Sequence, residues 1–172
     1  TFPMALMLLS TYVKPFIGAA AKYLWFFAIG LHIALIIYFT IKFILKLQMP
    51  KVFASYYIVY VGIAVAAVTA PAFEQLNVGA AAFWFGFATL ILLLILVTLP
   101  YTKYPEIPEP AQPLICIYAA PTSLCIVGYV QSVMPKSKSF LLAMLVLATI
   151  LYIFALVKAV GYLRLQFYPS YA

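Results

Sequence analysis

PEIPEPAQPLICIYAAPTSLCIVGYVQSV, Pro105 to Val133, is the stretch on which the fold turns. From Leu114 onward it is apolar enough to lie in a membrane. Yet Pro113 and Pro121 stand at its start and middle, with Thr122, Ser123 and Gly128 close behind. A proline inside a span removes a backbone donor and clashes with the carbonyl four residues back, so the helix is expected to kink or break there. In hydrocarbon the freed carbonyl needs a partner. Such a helix belongs inside a bundle or against a water-filled cavity, and nothing else in the chain points to a transport path so directly.

The composition agrees with a membrane setting. The 172 residues are 68% hydrophobic and 8% charged, whereas a soluble domain is roughly half apolar and about a quarter charged. The apolar stretches are long, which favours helices over a barrel of short alternating strands. A formal charge of +7 raises the question of nucleic acid. The Lys and Arg residues instead flank apolar spans, where they anchor helix ends and set orientation. No nucleic-acid partner is expected; the lipid bilayer is.

Six spans are expected, about 1–16, 23–45, 52–73, 78–99, 114–133 and 139–163. Lys14-Pro15 closes the first and Gly18 to Ala21 turns the chain. Pro50, Pro71, Pro100 and Pro135 mark later breaks, and Tyr101 to Gln112 forms an extended proline-rich loop. The spans fall into three hairpins, about 1–50, 51–104 and 105–167, within one transmembrane domain covering 1–172. The odd spans carry the small, hydroxyl and proline residues. The even spans carry long aliphatic runs such as Leu90 to Val97. Oily even helices suit lipid, and the odd ones suit close packing or a lumen. Phe53-Ala54-Ser55-Tyr56 and Tyr168-Pro169-Ser170-Tyr171 repeat one another weakly, suggesting pseudo-symmetry.

The chain opens on Thr1-Phe2-Pro3 without an initiator methionine, and Pro169 to Ala172 reads as the start of another span. An interior piece of a longer protein is expected. Lys42, Lys46, Lys51, Lys103, Lys158 and Arg164 fall on one side and Lys14, Lys22, Lys136 and Lys138 on the other, which places the first side in the cytoplasm.

Each candidate residue has a functional and a plain reading. Ser55, Gly62 and Thr69, seven apart with Ala66 between, share a face of a regular helix: a lumen wall or a small-residue helix contact. Pro113 and Pro121 face nearly the same way, and kinks there widen a pore or are tolerated bends. His32, in mid-span, relays protons or is a neutral histidine bonded to a neighbouring helix; the second fits an even span better. Cys116 and Cys125, nine apart, face opposite sides of one helix and cannot pair within it. No carboxylate lies within a span, which argues against cation selectivity. An anion would meet hydroxyls, backbone dipoles and aromatic edges, with Lys14 or Lys51 near the mouths. HExxH, GxSxG, Walker A and zinc spacings are absent, so no enzyme, cofactor or metal is expected.

The openings Thr1-Phe2-Pro3-Met4-Ala5 and Val52-Phe53-Ala54-Ser55-Tyr56, the span with Pro113 and Pro121, and the ending Phe167 to Ala172 resemble the tellurite-resistance/dicarboxylate transporter family. That family takes in TehA-type bacterial proteins, plant slow anion channels, and fungal malate and sulfite transporters. The resemblance implies ten helices as five hairpins about a pseudo-fivefold axis, with inner helices lining a pore and outer ones facing lipid, and homotrimers in some members. The spans here would be the third to eighth helices. The family's occluding phenylalanine would then lie beyond Ala172, and three hairpins alone would leave the pore wall open. On this basis the pore face is expected to include Phe2, Ser55, Gly62, Thr69, Pro113 and Pro121. The expected function is passage of small inorganic or organic anions across a bacterial inner membrane or eukaryotic plasma membrane. Proton-coupled export of a dicarboxylate or oxyanion and a non-transporting membrane scaffold are the alternatives.

Overall fold

The computed structural model describes residues 1–44, 56–103 and 117–162. Of these, 92% are helical and none lies in a strand. Ser55, Pro113, Cys116 and the proline-rich loop from Tyr104 onward fall outside the described residues, as do Lys46, Lys51 and Arg164 of the expected cytoplasmic rim, while Tyr101 to Lys103, expected to open that loop, are helical.

The chain folds into consecutive hairpins. Helix α1 (Phe2–Ile17) has proline in its first turn, where the missing N–H costs no intrahelical bond, and Pro15 in its last. Gly18 then takes φ +58°, and its N–H bonds the Lys14 carbonyl at 2.9 Å. That positive φ suits a glycine, which has no Cβ to clash. Helix α2 (Ala20–Phe39) continues into a π-helical turn, Thr40–Ile44. Thr40 Oγ1 there donates to the Ile36 carbonyl and also lies 2.7 Å from the Tyr60 hydroxyl.

The third element is interrupted. It comprises α3 (Tyr56–Tyr60), a 3-10 turn (Val61–Ile63), α4 (Ala64–Thr69) and a second 3-10 turn (Ala70–Phe73). Together these form one inner span, Tyr56–Phe73. Glu74 stands in the left-handed region at φ 57° and closes the turn into α5 (Leu76–Lys103). Pro100, expected to end this helix, lies inside it. A proline disturbs the turn before it, losing one bond and crowding the carbonyl four residues back, but leaves the turn after it free to form, and here three further residues remain helical. Helices α6 (Ala119–Ser132) and α7 (Lys138–Tyr162) complete the described fold.

Four of these segments are long and apolar enough to cross a membrane: Ala20–Phe43, Tyr56–Phe73, Leu76–Thr98 and Lys138–Tyr162. Their burial differs sharply. The inner span has 72% of its apolar window buried, α2 and α5 have 28% each, and α7 has 11%. The main contacts join α1 to α2, α4 to α5 and α6 to α7 within hairpins, and α4 to α6, α5 to α6 and α1 to α4 between them. The inner span is therefore the hub, with α5 and α6 packed on it and α7 packed mainly on α6.

Small residues make that close packing possible. A Cβ added to Gly86 of α5 would stand 3.3 Å from Ala64 Cβ, one on Gly128 of α6 3.1 Å from Ala67 Cβ, and one on Gly79 of α5 2.6 Å from Ala70 Cβ. Ala64, Ala67 and Ala70 thus form a face against which two neighbouring helices lay their glycines, the small-residue packing that holds helices together in lipid. Ser132 Oγ donates to the Ala67 carbonyl across the same contact. Beyond it, Phe83, Phe87, Tyr129 and Phe140 join α5, α6 and α7, with ring centroids 5.0 to 5.7 Å apart along the chain of contacts.

Candidate functional site

The inner span, α1 and α6 meet around a cleft of about 290 Å³. Met4 enters from α1. Tyr57, Ile58, Val61 and Gly62 come from the inner span. Ile117, Ala120, Pro121 and Leu124 come from α6 and the turn leading into it. None of the lining residues belongs to α2, α5 or α7. The space is large enough for several water molecules.

The cleft coincides with the break in the inner span. At Val61–Ile63 the helix tightens to 3-10 geometry, and Gly62 sits in the middle of that turn. His32 of α2 is fully buried and its Nε2–H donates to the Val59 carbonyl at 3.0 Å. A carbonyl only accepts, so this bond places the proton on Nε2. The histidine ties an outer helix to the interrupted segment, in keeping with the plain reading of a neutral, bonded side chain. Its Nδ1 has no hydrogen-bond partner among the described residues.

The expected pore residues scatter. Gly62 and Pro121 are buried and share the cleft. Pro121 lies in the first turn of α6, not in mid-helix, so the helix Ala119–Ser132 contains no proline kink further along. Thr69 does not reach the cleft. It is buried against α2, accepting from Trp25 Nε1 at 2.7 Å and donating to the Val65 carbonyl at 2.8 Å. Gly62 stands inside the 3-10 turn, so the seven-residue count to Thr69 does not follow a regular α-helical pitch, and the two residues meet different neighbours. Phe2 is 67% exposed and lies in a separate groove beside Leu31, Leu35 and Tyr38 of α2. Ser55 and Pro113 lie outside the described residues. Thr122 is buried beside Pro121 without a hydroxyl partner among the described residues, and Ser123 donates back to the Ala119 carbonyl at 3.1 Å.

Lys14, expected near a mouth, is engaged at the end of the inner span. Its ammonium donates to the Ala72 carbonyl and lies 5.7 Å from the Phe73 ring centroid. A cation there satisfies a carbonyl of the helix end and complements the dipole. Met4, Tyr57 and Leu124 are cleft residues that the sequence does not single out. Each is an ordinary apolar side chain, and only the rotational setting of its helix puts it there. Cys125 is buried and unpaired. Among the described residues no group of three His, Cys, Asp or Glu side chains could hold a metal ion. No family model, curated protein or solved structure matches the chain.

Proposed function

We propose that the chain builds part of a conduit for small anions, with six spans in three hairpins whose odd members face a common axis. The supporting observation is the cleft itself, whose walls, among the described residues, come from α1, the inner span, and α6 with the turn leading into it. The resemblance to the tellurite-resistance/dicarboxylate transporter family predicts that same division between inner and outer helices. Among the described residues the lining carries no carboxylate, so none of them would favour a cation. Its apolar walls would bind an ion weakly, and weak binding lets an ion leave as readily as it enters. Narrow apolar constrictions also shut by dewetting, which gives such a path a closed state without a charged gate.

The test is anion flux in proteoliposomes holding the protein expressed from its complete reading frame. Large uncoupled chloride or nitrate flux supports a channel. Slow flux that depends on an imposed pH gradient shifts the reading to coupled export. Absence of flux under both regimes would leave a membrane scaffold and overturn the transport reading.

A further inference from the structure

We infer that Met4 is the residue that sets the width of the cleft, and that Gly62 is the notch into which its thioether withdraws. This rests on the transport reading above.

Met4 lies in the first turn of α1, half-buried, and opens onto the cleft. A Cβ placed on Gly62 would stand 2.7 Å from Met4 Sδ and 3.3 Å from its Cε. The shorter of these is closer than real side chains tolerate. The space that glycine leaves empty is therefore taken by the methionine. On another approach the same position faces His32 Cε1 at 3.1 Å.

The two neighbours differ in freedom. His32 is fully buried, and its ring is fixed by the bond from Nε2 to the Val59 carbonyl. Met4 is unbranched, with three rotatable bonds, and has the cleft beside it. When position 62 is crowded, Met4 is the side chain that yields, and the open direction is the cleft. With Met4 seated on Gly62 the passage is wide; swung out toward Pro121 and Leu124, the side chain narrows it.

Three variants of the full protein, measured by chloride or nitrate flux in proteoliposomes, test this. Gly62→Ala should lower flux several-fold by expelling Met4 from the notch. Met4→Ala should raise flux modestly above wild type, by removing the side chain that swings out of the notch part of the time. The double variant should match Met4→Ala, because the added methyl then has nothing to push into the passage. Met4→Val gives an intermediate and milder probe should Met4→Ala melt early in detergent. A Gly62→Ala loss that persists in the Met4→Ala background overturns the inference, since the methyl would then act through His32 or the helix itself. Wild-type flux that is indifferent to both methionine variants overturns it as well, while leaving anion transport standing. A wild-type protein that passes no anion overturns both.

Discussion

The inner span Tyr56–Phe73 and helix α7, Lys138–Tyr162, make opposite use of the same membrane. The inner span is the less apolar of the two and the more buried, 72% against 11%. In water that order would be reversed. In lipid the acyl chains are as apolar as leucine, so an oily surface gains nothing by turning inward. Burial then goes to the segment whose shape packs best, and alanine, glycine and threonine allow backbones to approach. Helix α7 instead presents Leu142, Val146, Ile150, Ile153 and Val157 outward, each more than half exposed. The contrast predicts that substitutions in and around the inner span will be costly, while equal truncations on α7 will not.

The largest effect should come from Trp25→Ala. Trp25 is fully buried, donates to Thr69 and stacks on Phe73 at 5.2 Å between centroids. Its loss opens a cavity at the hub and should cost about 3–5 kcal/mol in denaturant unfolding from detergent micelles. A near-neutral result would mean that α2 is held mainly elsewhere. Next comes Gly79→Leu, which forces a side chain into Ser132 and Ala70. Overpacking of that kind costs about 1–3 kcal/mol or more, visible as a lower melting temperature.

Thr69→Val should follow at about 1–3 kcal/mol, because it keeps the shape but strands the buried indole N–H. Thr69→Ser restores an acceptor and should recover most of the loss. Equal losses in both variants would show that packing, not the hydrogen bond, matters there. Smallest of all, Ile150→Ala and Val157→Ala on α7 should each stay within about 0.5 kcal/mol, as expected of surface positions. A loss of 2 kcal/mol or more at either (roughly what truncating a core side chain costs) would indicate that α7 is covered by protein, and would break the contrast.

Much of the hairpin order is legible in the chain. Gly18, the Pro71 region and the polar Glu74-Gln75 pair mark turns that the structure places at those points. The assignment of the third span to the interior is also legible, from its small and hydroxyl residues. Pro100 misleads, because a proline disturbs the turn before it and does not forbid the helix from running on after it. The seven-residue series misleads in another way. It presumes one uninterrupted helix, and the 3-10 turn at Val61–Ile63 takes in Gly62 itself, leaving Gly62 at the cleft and Thr69 at Trp25. Nothing local to His32 or Val59 announces that they meet across 27 residues of chain.

By itself the sequence determined the solvent. With 68% hydrophobic residues and charges confined to the ends of long apolar runs, the chain is built for hydrocarbon. It also marked the third span, rich in small residues, as slim enough to pack inward, whereas the first span, expected beside it, buries only Pro3, Met7 and Ser10. Only the tertiary structure decided how each helix is rotated about its axis, and hence that Met4 and not Phe2 faces Gly62 and Pro121. The reason is physical. Composition is a property of a segment and its surroundings, whereas rotation is settled by interlocking with partners remote in sequence. In lipid, where apolar surface has no preferred side, that interlocking has the final word.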